Sequence, residues 1–267
     1  LRQAIIDLNA TGADGDIIQF TTAGTIALES ALPDLDHETK FDTNDNEVSL
    51  MSYSGGTIAT KWFKFESAGT SAFTVGAGAA WDIGGGLVVG DSANGSLTIS
   101  GGGDVTNAYT AYVGGNAGST GAVTVTGAGS TWVNTEAIYI GSGSTGTLTI
   151  SNGGVVSDTW GNIGGYAGGD GAVTITGASP QWNNTNDVFV GKNDDGVLNI
   201  LNGGVVTNDK RFIASEAGST GIANVDGDGS TWTNSGGLTI GRNGPGELHI
   251  TDGGDVTNTY VDLAYND

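Results

Sequence analysis

The feature that most constrains this chain is a repeat of about 25 residues that begins at Gly95. One phrase occurs four times: GSLTISGGGDVTN from Gly95, GTLTISNGGVVSD from Gly146, GVLNILNGGVVTN from Gly196 and GELHITDGGDVTN from Gly246. A second phrase alternates with it: GAVTVTGAGSTWVN from Gly121, GAVTITGASPQWNN from Gly171 and GIANVDGDGSTWTN from Gly221. The seven initial glycines are 26 residues apart once and 25 residues apart five times. A fixed period in the range of about 20 to 50 residues indicates a solenoid or another stacked array.

Each repeat contains three short runs in which apolar and polar residues alternate. In the repeat that starts at Gly121 they lie at residues 123–125, 132–134 and 138–140. Alternation in segments rich in Val, Ile and Thr is typical of half-buried strands, and the Gly, Asn and Asp between them form turns. Three strands and three turns in about 25 residues predict one rung of a right-handed parallel β-helix, so the predicted fold class is all-β.

The register of the repeat predicts which side chains stack on one another. One apolar column is Ile99, Val125, Ile150, Ile175, Ile200, Val225 and Ile250. A second column is Val105, Trp132, Val156, Trp182, Val206, Trp232 and Val256. A polar column follows two residues later: Asn107, Asn134, Asp158, Asn184, Asn208, Asn234 and Asn258. We expect the apolar columns to form the core and the polar one to be a ladder in which each amide bonds the rungs above and below.

The first quarter of the chain is less regular. Residues 1–66 are predicted to form an N-terminal cap and irregular first rungs, because a solenoid needs a closed end to protect its strand edges. A short amphipathic turn or helix is expected at residues 1–6, and strand patterns occur at residues 16–20, 25–28, 48–51 and 62–65. Residues 67–267 are predicted to be regular β-helix, continuous with the cap as one elongated domain. Since the chain starts without Met and stops within a rung, we expect it to be a piece of a longer protein.

Charge and composition exclude several classes of function. The chain has 29 acidic and 8 basic residues, a net charge of −21, so it should repel nucleic acid and the surface of an anionic membrane. Cysteine is absent, which excludes disulfides and thiolate metal sites. No apolar run reaches the roughly 18 residues of a membrane-spanning helix. We predict no cofactor.

Candidate catalytic residues are few. The two histidines are His37, in an expected loop, and His249, on an outward column. Residues 141–146 match G-x-G-x-x-G but lead into a strand, so the helix N-terminus that would hold a dinucleotide pyrophosphate is missing. We therefore predict no catalytic residue.

Acidic pairs raise the possibility of a metal site or of glycan cleavage. They are Asp14 with Asp16, Asp194 with Asp195, and Asp226 with Asp228. Because the pairs fall on different turns and lack the bidentate glutamate of a calcium loop, we predict no metal site. A polysaccharide-active lyase or hydrolase stays open as an alternative, with its residues in a groove beside the long turns that follow every second rung.

The outward column of the third strand is rich in aromatic residues. It consists of Val88, Tyr112, Tyr139, Asn162, Phe189, Phe212 and Thr239. Exposed rings in a row can stack on sugar rings or on another chain, so Tyr112, Tyr139, Phe189 and Phe212 are the predicted binding residues. The alternative is that these rings pack on their neighbours and only stabilise the stack.

The two phrases resemble the repeats of autotransporter passenger domains, the secreted parts of bacterial type V secretion proteins. They are most similar to the autotransporter-associated repeats of adhesins, over roughly residues 70–267. The resemblance implies a β-helix displayed on the surface of a Gram-negative cell or secreted, which adheres to host cells, to surfaces or to other copies, often in virulence. No catalytic motif carries over.

From these observations we expect a non-catalytic adhesin fragment that mediates cell adhesion or autoaggregation. Its expected partner is a host-cell or glycan receptor or another copy of itself, with no nucleic acid and no membrane contact. A passive stalk is the remaining alternative.

Overall fold

The computed structural model describes residues 16–19, 24–28, 39–42, 47–52, 57–60, 63–65, 70–76 and 78–263. Side chains are described for residues 72–76 and 78–263. The turn or helix expected at residues 1–6, and His37, lie outside the described residues. Every regular element in the described part is a strand, and it contains no helix long and apolar enough to cross a membrane.

Thirty strands follow one another along the chain. The first ten are β1 Asp16–Gln19, β2 Gly24–Leu28, β3 Thr39–Asp42, β4 Glu47–Ser52, β5 Thr57–Thr60, β6 Phe63–Phe65, β7 Thr70–Gly76, β8 Ala80–Ile83, β9 Leu87–Val89 and β10 Asn94–Ser100. The next ten are β11 Asp104–Asn107, β12 Ala111–Val113, β13 Thr120–Thr126, β14 Thr131–Asn134, β15 Ala137–Ile140, β16 Thr145–Ser151, β17 Val155–Asp158, β18 Trp160–Ile163, β19 Gly171–Thr176 and β20 Gln181–Asn184. The last ten are β21 Val188–Val190, β22 Gly196–Leu201, β23 Val205–Asn208, β24 Arg211–Ile213, β25 Gly221–Asp226, β26 Thr231–Asn234, β27 Gly237–Ile240, β28 Gly246–Thr251, β29 Asp255–Thr257 and β30 Tyr260–Leu263.

The strands form three long parallel sheets that the chain visits in turn. From β7 onward the first sheet takes β7, β10, β13 and every third strand to β28, the second takes β8 to β29, and the third takes β9 to β30. Each strand therefore pairs with its equivalents one rung before and one rung after. The molecule is a parallel β-solenoid of about eight turns that are about 25 residues apart, which confirms the predicted fold class.

The predicted columns coincide with the observed register. In the first sheet Ile99 pairs with Val125, Val125 with Ile150, and so on to Ile250. In the second sheet Val105 pairs with Trp132, and the alternation of Val and Trp continues to Val256. Both columns are buried up to the last rung, where Ile250 is exposed because β28 has a neighbour on one side only.

The N-terminal strands continue the same three sheets. The observed β1, β2, β4 and β6 lie where the sequence pattern predicts strands, whereas β3 and β5 were not expected. The register is maintained across them, since Ile26 pairs with Leu50, Leu50 with Val75 and Val75 with Ile99. Stacking thus extends through the irregular sequence of this region.

The polar column is buried, but it forms the predicted ladder only in part: Asn107 Nδ2 donates to Asn134 Oδ1, and Asn208 Nδ2 donates to Asn234 Oδ1 at 3.4 Å. Tryptophan side chains interrupt the ladder elsewhere: the indole N–H of Trp132 donates to Asn107 Oδ1 at 2.9 Å, and that of Trp232 donates to Asn208 Oδ1 at 2.8 Å. The third indole, that of Trp182, donates to Asp158 Oδ2 at 3.2 Å. Each amide of these two pairs thus bonds one neighbouring rung rather than the two that the sequence predicts, because an indole takes up the acceptor of Asn107 and of Asn208.

Turn length alternates along the third sheet, as the sequence predicts. Long turns at residues 114–119, 164–170 and 214–220 follow β12, β18 and β24. Shorter turns at residues 141–144, 191–195 and 241–245 follow β15, β21 and β27. Long and short turns stack alternately on one edge of the solenoid, and they border the candidate site.

Candidate binding site

The four predicted binding residues lie on the outer surface of the third sheet. Each stands between two buried residues of a short strand, so the alternation of the strand turns its ring outward. The rings form two stacked pairs: Tyr112 with Tyr139 at a centroid distance of 5.5 Å, and Phe189 with Phe212 at 5.0 Å. Because of this stacking the rings are half-buried, and their outer edges and end faces are what a ligand could reach.

The rings do not form one continuous row. Asn162 pairs with Tyr139 on one side and with Phe189 on the other, so it occupies the rung between the two stacks. Its short side chain leaves a gap in the aromatic column, and the residue is only 1% exposed. The expected row of exposed rings is thus two half-buried stacks with a polar break.

A fifth ring, which the sequence reasoning missed, extends the first stack. Tyr166, in the long turn after β18, folds back onto Tyr139 with a centroid distance of 5.0 Å and is 45% exposed. The turn can approach so closely because residue 165 is glycine: a Cβ there would lie 2.5 Å from Cδ1 of Tyr139. Burial, with smaller effects from the Tyr166 and Tyr112 side chains, raises the pKa of Tyr139 to about 12. We call these five rings the aromatic face: Tyr112, Tyr139, Tyr166, Phe189 and Phe212.

The gap in the column holds the ammonium group of Lys192. Its Nζ lies 5.3 Å from the ring centroid of Tyr139 and 4.9 Å from that of Phe189, and it donates to Asn162 Oδ1 at 2.8 Å. A cation between two ring faces is attracted by both ring quadrupoles. Burial lowers the pKa of Lys192, and the exposed Glu216 partly opposes that shift.

An open cleft surrounds this ammonium group. It has a volume of about 240 Å³ and is lined by Ala137, Tyr139, Trp160, Asn162, Phe189 and Lys192. Trp160, at the start of β18, forms an exposed wall, with 38% of its surface accessible. We call this site the lysine cleft. It combines three aromatic surfaces with an amide and a positive charge.

A second cation lies further along the same face. The guanidinium group of the exposed Arg242 lies 5.6 Å from the ring centroid of Phe212. Arg242 and Lys192 occupy equivalent places in two short turns, where Ser142 stands in an earlier rung. This edge of a strongly acidic chain therefore carries two positive charges beside aromatic rings.

Two other groups of titratable residues were considered in the sequence. The structure brings carboxylate oxygens of Asp170, Asp194 and Asp195 within 4.8 Å of one another, because the turns that carry them are stacked. Asp170 belongs to none of the acidic pairs named from the sequence, and exposed carboxylates alone do not make a metal site. His249 contacts Glu247 at 3.0 Å on the exposed last rung.

Two of the missed residues could be found by aligning the turns of this chain with one another. Tyr166 stands where the other long turns have Asn116 and Glu216, so it is the one aromatic residue at that position. Lys192 is the second residue after the end of β21, as Arg242 is after the end of β27. The packing of both side chains against the aromatic column has no signal in the sequence, because it depends on how neighbouring turns stack.

No protein-family model, no curated protein and no solved structure matches this chain. The fold therefore rests on the repeat and on the observed strand register, and the resemblance to autotransporter repeats enters only as a proposal.

Proposed function

We propose that this chain is an adhesive passenger segment of an autotransporter, displayed on the outer surface of a Gram-negative bacterium or secreted from it. The phrasing of the repeats supports this proposal, as does the fold, since a stacked solenoid presents an extended lateral surface for binding. In this proposal the protein is not an enzyme. It mediates adhesion to host cells or glycans, or aggregation with other copies of itself.

The observation that carries the proposal is the aromatic face with the open lysine cleft in its middle. Aromatic rings that are partly accessible beside polar groups suit amphipathic ligands such as sugars, whose C–H faces pack on rings while their hydroxyl groups form hydrogen bonds. In the rest of the described chain the exposed large apolar residues are scattered or lie on the last rung. This face is therefore the best candidate for adhesion.

The lining of the cleft favours binding over cleavage. Glycoside hydrolysis usually uses a pair of carboxylates that flank the bond to be broken. The six residues that line the lysine cleft include no carboxylate. A polysaccharide-active enzyme would need its acidic residues elsewhere.

The passive stalk makes a different prediction from the same structure. Each stacked aromatic pair contributes about 0.5–1.5 kcal/mol beyond area burial, so stability alone could explain the rings. A stalk needs the rings for folding only, whereas an adhesin needs them for folding and binding.

The test is to display the chain on beads and to measure clumping, attachment to epithelial cells and binding to a glycan array. The variant replaces Tyr112, Tyr139, Phe189 and Phe212 with Ser. The matched control is Val133→Ser, which changes an exposed apolar residue of the second sheet. Circular dichroism checks that each variant is folded.

We expect binding by the wild type and by Val133→Ser, and a loss of at least about tenfold in the folded aromatic variant, equivalent to about 1.4 kcal/mol. Equal binding by all three would place adhesion elsewhere on the chain. No binding by the wild type would favour the stalk. Shortened glycan products after incubation would instead favour the enzyme.

A further inference from the structure

We propose that the lysine cleft is a subsite for a carboxylate-bearing sugar at the end of an acidic glycan. This inference rests on the proposed adhesive function and specifies its ligand. It comes from the break in the aromatic column, where the repeat replaces a ring with Asn162 and places a cation in the gap.

The gap in the aromatic column has the size of one missing ring. Adjacent rungs are about 4.8 Å apart, so Tyr139 and Phe189, two rungs apart, are separated by roughly 10 Å. The ammonium group of Lys192 takes up the layer between the two rings, so the space for a ligand is the open cleft around that group. At about 30 Å³ for each water molecule, the 240 Å³ of the cleft holds about eight waters, enough for one sugar-sized group.

The cleft has unused hydrogen-bonding capacity. The ammonium group of Lys192 has three N–H donors, and its one hydrogen bond in the described structure goes to Asn162 Oδ1. No carboxylate of the described residues forms an ion pair with it. The Nδ2 group of Asn162 also lacks an acceptor, but it is buried beneath the cleft, so the donors that a ligand can reach are the two remaining N–H groups of the ammonium. A carboxylate has two acceptor oxygens and fits these donors.

A half-buried cation costs free energy, and the exposed carboxylate of Glu216 offsets that cost only in part. Burial lowers the pKa of Lys192, which shows that its surroundings disfavour the charged form. An anionic group in the cleft would offset this cost. The cation is nevertheless placed between two rings and is held there by Asn162, in a chain whose net charge is −21.

The remaining walls indicate a sugar rather than a simple anion. Trp160 offers an exposed indole next to the ammonium group, and the edges of Tyr139 and Phe189 complete an apolar surface. A sugar acid has a C–H face for such a surface and a carboxylate for the cation. The overall negative charge of the chain repels long polyanions, so a single terminal acidic sugar is the better match.

The test compares each acidic glycan with a neutral counterpart of the same shape. The probes are sialyllactose and a glucuronate-terminated disaccharide, each measured beside its carboxyl methyl ester by isothermal titration calorimetry. The variant is Lys192→Met, which keeps much of the apolar stem. The matched control is Arg242→Met, which removes the other cation that lies over an aromatic ring of this face.

We expect the wild type and Arg242→Met to bind the acid at least about tenfold more tightly than the ester. Lys192→Met should lose that preference while its affinity for the ester stays within about twofold. Such a result would assign the preference to one ammonium group. Circular dichroism and the unfolding midpoint establish that the variant is folded.

The possible outcomes distinguish failure of this inference from failure of the proposed adhesive function. Equal affinity of the wild type for acid and ester, or an unchanged preference in Lys192→Met, would overturn the inference and leave glycan adhesion intact. Binding to neither probe, together with clumping that Lys192→Met abolishes, would assign the cleft to a carboxylate of a second copy and overturn the sugar. Absence of binding to any glycan, cell or copy would overturn both proposals.

Discussion

The contact between Trp182 and Gly161 allows a quantitative test of how alternate rungs fit together. The indole of Trp182 is fully buried and packs over Gly161 of the preceding rung. A Cβ at residue 161 would lie 2.5 Å from Cζ2 of the indole and 2.7 Å from Asn184 Oδ1. Ordinary contacts between carbon atoms are about 3.5–4.0 Å, so Gly161→Ala must displace the ring. We therefore expect a strong energetic coupling between residues 161 and 182.

The magnitude follows from the two single changes. Overpacking by one methyl group in a rigid core costs about 2 kcal/mol for Gly161→Ala. Trp182→Val introduces the residue found in the neighbouring rungs and costs about 3 kcal/mol, at the lower end for loss of a buried aromatic side chain. In the double variant the indole is gone and the Asn184 amide can turn away from the added methyl group into the space that the indole leaves. We therefore expect about 3 kcal/mol rather than the additive 5 kcal/mol, a coupling of about 2 kcal/mol.

The assay is guanidinium unfolding followed by circular dichroism for the wild type, the two single variants and the double variant. Loss of the hydrogen bond from the indole to Asp158 occurs in both variants that lack Trp182, and it therefore cancels in the cycle. The control cycle combines Gly161→Ala with Trp132→Val, because the Trp132 indole points to Asn107 in the rung on the other side. A coupling below about 0.5 kcal/mol for residues 161 and 182, equal to that of the control, would refute the packing argument.

Three further predictions concern single groups. Burial raises the pKa of Asp158 well above 3.8, so ionisation destabilises the fold at high pH. Asp158→Asn should therefore raise the free energy of unfolding near pH 7, by at least about 1 kcal/mol. That gain should disappear as the pH falls towards the unfolded pKa near 3.8, and a gain that is independent of pH would contradict it. Arg211 donates to the backbone oxygen of Thr257 at 3.0 Å. Arg211→Leu should therefore speed hydrogen exchange in β29 by at least about tenfold and leave exchange in β13 unchanged. Exchange in β29 at the wild-type rate would contradict this prediction. Tyr166→Phe should lower the pKa of Tyr139 from about 12, which a phenolate absorbance titration measures, and an unchanged titration would show that burial alone sets the value.

Most of the fold could be predicted from the sequence because the same pattern of apolar, polar and turn residues recurs in every rung. Once the 25-residue period fixes the register, a column such as Ile99 to Val225 must share one environment. The hydrogen bonding of the polar column could not be predicted in this way. Asn107 and Asn134 occupy the same column, but the indole of Trp132 reaches across to the rung before it and takes the acceptor of Asn107.

The candidate site was only partly predictable for the same reason. The outward position of Tyr139 and Phe189 follows from strand alternation, and it was expected. The interruption by Asn162 was visible in the column, but its consequence was not, because the side chain that fills the gap comes from a turn 30 residues later. Strand periodicity says nothing about where a lysine in such a turn points.

In a repeat protein, comparing equivalent positions in different rungs shows which residue types each position needs for folding. At the turn positions of Tyr166 and Lys192 other rungs have residues such as Asn116 and Ser142, so neither an aromatic ring nor a cation is required there to form the turn. The outward position of Asn162 likewise accepts rings in the rungs on both sides. These three departures lie in two adjacent rungs and contact one surface, with Tyr166 stacked on Tyr139 and Lys192 placed between Tyr139 and Phe189. Because the repeat does not need them and they meet at one cleft, a binding function is best sought at that cleft.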